Sequence, residues 1–227
     1  KYSFPFFYFF VFYLCFVNYY NKCCILLNMK IKELSIIFPI YNEEDRLVKN
    51  LHKITNLFKI FKSINTEIIL VNDGSTDKTH EQIFNFLKSF KSKNRKKIKY
   101  INYHENKGKG YALKVGILKS KMKWKLTCDI DFSAHPKEVK RWLRLNYIKS
   151  AKSCYFASRS LKKSNVKYKH HRYYLGNIFN YLVSLIFNLK IGDTQCGFKL
   201  YHSSYARKVF SKMSEFRYSH DVEIAVL

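Results

Sequence analysis

A chain of 227 residues can bury one sizeable core, so one folded domain with an appendage is the expectation. Its 42 Lys+Arg against 16 Asp+Glu give a formal charge of +26, a field that attracts nucleic acid, an anionic membrane surface or phosphorylated substrates without choosing among them. The six cysteines (Cys15, Cys23, Cys24, Cys128, Cys154 and Cys196) include no CxxC pair and no regular spacing, which argues against a disulfide framework and for a reducing compartment.

The string Phe4 to Val17, FPFFYFFVFYLCFV, carries no charge, and a shorter apolar patch follows from Cys23 to Leu27. It is shorter than the roughly 20 residues that span a bilayer, yet too aromatic for an ordinary core helix. Residues 1–28 are therefore expected to be a membrane anchor and its flank. Lys22, Lys30 and Lys32 follow it, so the positive-inside rule places the remaining domain, residues 29–227, in the cytosol. Cys23 and Cys24 fit either acylation or ordinary juxtamembrane cysteines. The first residue is Lys1, and the last, Leu227, ends a helical run, so the domain is expected to continue beyond the C-terminus.

Short β-rich runs then alternate with amphipathic ones. LSIIFPI, EIILVND, IKYINY, WKLTCD and SCYFAS read as buried strands. Leu47, Leu51, Ile54, Phe58 and Phe61 share one helical face, predicting a helix from about Glu44 to Phe61 with Asn42 as N-cap and Asp45 in the capping-box position. Further helices are predicted over Lys78 to Phe90, Tyr111 to Ser120 and Lys137 to Lys149. Repeated strand–helix units imply an α/β fold, a doubly wound, mostly parallel sheet with helices on both faces. Ligands in such sheets bind beyond the carboxyl ends of the strands, where YNEE, NDGSTD and DIDFS all fall. The basic run Lys88 to Lys99 fits a solvated loop, enlarged by an AT-rich coding bias, or a contact with anionic lipid.

Asp129 and Asp131 flank Ile130 at a strand end, so both carboxylates can face one cavity. Hard cations such as Mg²⁺ use one or two carboxylates plus substrate phosphates, which suits a metal-bound diphosphate; a solvated turn is the plain alternative. In VNDGSTD, Asp73 precedes a tight turn at Gly74 and is placed to accept from a uracil ring or a ribose hydroxyl. Tyr41 and Glu43 of FPIYNEE offer a base-pocket wall and a ribose acceptor. NKGKG opens a helix with two glycines and two lysines, so backbone amides, the helix dipole and the ammonium groups, that of Lys109 among them, are expected to meet a phosphate. It lacks the spacing of a Walker loop.

Five strings in one order, FPIYNEE, VNDGSTD, NKGKG, DID and DTQCGFKLY, make the chain from Leu34 to Leu227 resemble family 2 glycosyltransferases of the GT-A fold. Within them the resemblance is greatest to the dolichyl-phosphate β-glucosyltransferases. It implies inverting transfer of glucose from UDP-glucose to dolichyl phosphate at the cytosolic face of the endoplasmic reticulum membrane, for N-glycan precursor assembly. By position it implies that Pro39, Tyr41, Glu43 and Asp73 bind uridine and that Asp129 and Asp131 hold the diphosphate with Mg²⁺ or Mn²⁺. Arg159, Arg172 and Lys199 match basic positions that address donor or acceptor phosphates, and Asp221 matches an acidic one. DIDFSAHP departs from the DADGAT of the resembled group, and its His135-Pro136 is similar to the mannosyltransferases, which use GDP-mannose. The apolar stretch Tyr173 to Ile191 fits an interfacial helix beside the lipid acceptor or a helix covering the sheet. A nucleic-acid-binding protein is the rival from another class, though no nucleic-acid partner is expected because no module signature accompanies the charge.

Overall fold

The computed structural model describes residues 29–91, 93–158, 181, 183, 185–187 and 193–227. The N-terminal segment 1–28, Arg159 and Arg172 lie outside the described residues. Among those described, no helix is long and apolar enough to cross a membrane.

Continuous apolar runs mark strands buried on both faces, and they form the middle of the sheet. Its strands are β1 (Glu33–Ile40), β2 (Asn65–Asp73), β3 (Ile98–Tyr103), β4 (Trp124–Thr127), β5 (Cys154–Phe156) and β6 (Lys199–His202). The spatial order is β3-β2-β1-β4-β6-β5. The strands β3, β2, β1 and β4 are parallel, whereas β6 runs antiparallel to both β4 and β5. Nothing in the sequence pattern marks β6 as a strand. KLYH is only four residues long and was read as part of a ligand motif.

The alternation of side chains divides the core into two layers. Leu34, Ile36, Phe38 and Ile40 of β1 pack with Leu47 and Ile54 of α1 (Glu44–Ile60), Ile83 of α2 (Thr79–Ser89) and Val139 of α4 (Glu138–Arg144). Ile37, Ile69 and Val71 face the other way. They meet Leu113 and Ile117 of α3 (Lys109–Lys119), Phe210 of α5 (Ser203–Lys212) and Ile224 of α6 (His220–Val226). The expected helices on both faces are present, while α5 was not anticipated.

One predicted helix end shifts and one predicted cap is not made, each for an identifiable reason. The fourth helix stops at Arg144 rather than Lys149, because Asn146 takes φ 52° and the Tyr147 amide donates back to Trp142, closing a Schellman turn. Asn42 does not cap α1. Its own φ is 50°, its Oδ1 accepts from the Thr76 amide at 2.9 Å, and the first amides of α1 go instead to Thr79 Oγ1 and Asp77 Oδ2. Glu44 Oε2 in return accepts from the Lys78 amide at 2.9 Å, so two helix starts on the same face of the sheet cap each other. Within the stretch 173–191, residues 181, 183 and 185–187 are described and helical. Val183 is buried, whereas Leu185 and Ile186 are exposed at 67% and 71%.

What positions the site is the order of the strands. The chain leaves β1 for β2 and β3 on one side, then returns to place β4 on the other side of β1. The crevice between the diverging loops after β1 and β4 is the switch point at which open α/β sheets bind ligands. Those loops carry Tyr41 to Glu43 and Asp129 to Asp131.

Candidate active site

The turn after β4 is built around an unusual backbone. Cys128 extends the pairing by donating its amide to Ile37, and the Phe132 amide closes a turn onto the Asp129 carbonyl at 3.1 Å. Phe132 itself has φ 56°, a conformation that costs a bulky residue on the order of 1 kcal/mol or more. Its ring offsets the strain by burial against Phe38, with centroids 5.5 Å apart, and beneath Lys53. The Phe132 that departs from the resembled pattern is thus the residue that seats the loop. Asp131 is exposed and caps the Ser133 amide at 2.8 Å.

Asp129 is held on both flanks. Lys109 Nζ lies 2.6 Å from Oδ1, with side-chain exposures of 40% for the lysine and 34% for the aspartate. On the other flank Gly197, from CGFKLY, leaves room only because it lacks a side chain: a Cβ there would stand 2.7 Å from Asp129 Oδ2. The motif reading missed this role of Gly197. Its only signal was a glycine before a strand, where close backbone approach is the usual reason for the residue.

Glu43, from the loop after β1, faces the same crevice. Burial raises its pKa above the usual carboxylate value; Asp131 and Asp129 push the same way, against the nearby Arg46 at 3.0 Å. Tyr41 stands beside it at 45% exposure, and Pro39 is half-buried at the end of β1. The structure therefore brings Glu43, Lys109, Asp129 and Asp131 together, with Pro39 and Tyr41 at the adjoining end of β1.

Asp73 is placed differently. It is 2% exposed and accepts from Tyr103 Oη at 2.7 Å, Asn106 Nδ2 at 3.1 Å, the Lys107 amide at 3.0 Å and the Gly108 amide at 2.9 Å. Its acceptor capacity is filled by the protein, which opposes the expected contact with uracil or ribose. The same bonds engage the amides of NKGKG that were expected to cradle phosphate, and the Gly110 amide goes to the Phe216 carbonyl. In this corner the Lys109 ammonium, paired with Asp129, and the exposed Lys107 ammonium, over the Tyr111 ring, are cations that can address an anion.

Lys199 is also a correction. It is 1% exposed, its Nζ lies 2.5 Å from Asp221 Oδ1, and it rests against the Phe156 ring, so it is not an open cation for a phosphate. Burial alone would raise the pKa of Asp221, but Lys199 and His220 outweigh it and hold the carboxylate below its usual range. His220, unnoticed in the sequence, donates from Nδ1 to the Arg217 carbonyl, and its Nε2 lies 3.5 Å from Asp221 Oδ1. Lys109 feels Asp129, Asp221 and Asp131 together, and their attraction raises its pKa despite burial. The site therefore combines a cluster of carboxylates, Glu43, Asp129 and Asp131, with two ion pairs, Lys109–Asp129 and the buried Lys199–Asp221.

The family model described as "Glycosyl transferase family 2" matches residues 35–210. The dolichyl-phosphate beta-glucosyltransferase of Dictyostelium discoideum is 34% identical over 205 residues, covering 86% of this chain and 61% of the relative. Dolichyl-phosphate beta-glucosyltransferase ALG5A of Trichomonas vaginalis is 32% identical over 205 residues, covering 86% and 60%. The chain thus spans about 60% of the length of these relatives. Among solved structures, S. aureus TarS 1-349 in complex with UDP aligns with a TM-score of 0.53 at 16% identity, covering 85% of this chain and 54% of that one, a likeness of fold. The chain belongs to glycosyl transferase family 2.

Proposed function

We propose that this family 2 domain transfers glucose from UDP-glucose to dolichyl phosphate, with inversion at the anomeric carbon, at the cytosolic face of the endoplasmic reticulum membrane. What carries the reading is the Asp129–Asp131 turn at the β1/β4 switch point, facing Glu43 and Lys109, in a chain whose relatives bear the glucosyltransferase name.

Asp129 and Asp131 fit a hard divalent cation, Mg²⁺ or Mn²⁺, through the chemistry of the donor set. Among the described residues no group of three or more His, Cys, Asp or Glu forms a cage, and a carboxylate pair that leaves positions for substrate phosphates is the usual arrangement for Mg²⁺. The crowding of Glu43, Asp129 and Asp131 is the kind that such a cation relieves. When bound, the metal would neutralise charge on the departing diphosphate.

The protein's own groups have simpler tasks. The exposed Tyr41 ring offers the base an apolar face, Glu43 accepts from ribose, and Lys109 reaches the diphosphate as a point charge. The acceptor phosphate has a second pKa near 6 and is already ionised, so positioning matters more than a strong general base. Arg159 and Arg172 are proposed to orient the donor and acceptor phosphates. Lys199 and Asp221 hold the floor of the site through each other. The hydrophobic segment 1–28 is proposed to keep the domain at the membrane that contains the acceptor.

Glucose transfer from radiolabelled UDP-glucose to dolichyl phosphate tests the reading, with GDP-mannose in parallel and EDTA as control. EDTA-sensitive transfer of glucose is expected. Transfer from GDP-mannose alone would move the assignment to a mannosyltransferase, the sugar that His135-Pro136 favours, and transfer from neither would overturn it.

A further inference from the structure

Asp129 is the aspartate that a divalent cation would use, yet a cation of the protein already occupies one of its oxygens. Lys109 Nζ lies 2.6 Å from Oδ1, and the Gly197 backbone closes the side of Oδ2. A metal approaching Asp129 would have to share that carboxylate with the ammonium or displace it. Displacement is sterically open, since Lys109 is 40% exposed and sits in the first turn of α3 on a flexible stem. The contrast with Lys199 is direct, because that lysine is 2% exposed and fixed on Asp221.

The surroundings give the displaced ammonium somewhere to go. The amides of Lys107 and Gly108 are bonded to Asp73 and that of Gly110 to the Phe216 carbonyl, so these three cannot receive a phosphate. A diphosphate arriving with its metal at Asp129 meets the Lys109 ammonium, which already lies against that carboxylate, whereas Lys107 lies over the Tyr111 ring.

We propose that Lys109 is a resident counter-ion that occupies Asp129 in the donor-free protein and moves to the diphosphate when donor and metal arrive together. Free divalent cation then binds weakly by itself, and the site assembles only around the donor. The inference rests on the reading of Asp129 and Asp131 as the metal site. By linkage, a group that competes with the metal at Asp129 lowers the metal's affinity by the worth of the ion pair it must break.

The test is Mn²⁺ binding to the full chain by electron paramagnetic resonance, with and without UDP, for the native protein, Lys109→Met and Lys109→Gln. Circular dichroism and thermal unfolding identify which variants are folded. Without UDP, a folded variant should bind Mn²⁺ roughly two- to fivefold more tightly, the range expected for releasing a partly exposed ion pair. In the presence of Mn²⁺ it should bind UDP more weakly. Native protein that binds Mn²⁺ with UDP, alongside folded variants whose nucleotide-free affinity is unchanged or lower, would overturn the role of Lys109 alone. Native protein that binds no Mn²⁺ even with UDP would overturn the metal site itself. Neither variant folding would also reject the proposal, since a displaceable counter-ion cannot be required for the fold.

Discussion

Asp73 and Asp129 occupy equivalent places, each at or just past the carboxyl end of a parallel strand on either side of β1, yet they do opposite work. Asp73 is buried and saturated by its own loops, tying the end of β2 to β3 and to the start of α3. Asp129 is one-third exposed, held by one lysine and crowded by other carboxylates. Strand-end position alone therefore does not mark a ligand-binding acid. The number of internal donors that reach the carboxylate decides whether it stays available to a ligand.

Substituting each aspartate by alanine separates the two roles most sharply. Asp73→Ala should lower unfolding free energy in urea by about 3–5 kcal/mol, because a hydroxyl, an amide side chain and two backbone amides lose their acceptor. Asp129→Ala should cost under about 1 kcal/mol while abolishing transfer. Equal destabilisation would erase the distinction. Gly197→Ala probes the seat of Asp129: a Cβ 2.7 Å from Oδ2 must displace the carboxylate, and transfer should fall on the order of 10- to 100-fold with only a small change in melting temperature. Unaltered turnover would show that the carboxylate works equally well off that seat.

The smallest effect concerns Glu43. Its folded-state pKa is raised, chiefly by burial, so the stability linked to its protonated form is present below the unfolded value of 4.5 and lost as pH rises through the raised value. Glu43→Gln should therefore stabilise the metal-free protein at pH 7 by up to about 1 kcal/mol, and added Mn²⁺ with UDP should cancel that advantage. Urea titrations at pH 4 and pH 7 measure the first part. A variant less stable at pH 7 would show that Glu43 is already adequately paired by Arg46.

The apolar runs of β1 and β2, the 3.6-residue face of α1 and the polar clusters after three strands were legible because each depends on local spacing. DxD likewise pointed to a hard cation from residue chemistry alone, and the order of five short strings pointed to the family. The tertiary structure decided which acids and cations remain available to a ligand. Burial closed Lys199 onto Asp221, non-local donors filled Asp73, and Gly197 came beside Asp129 from 68 positions away in sequence, just before a strand too short to announce itself. Composition and spacing determine which groups can bind or react, while their availability depends on partners that only folding brings within hydrogen-bonding distance.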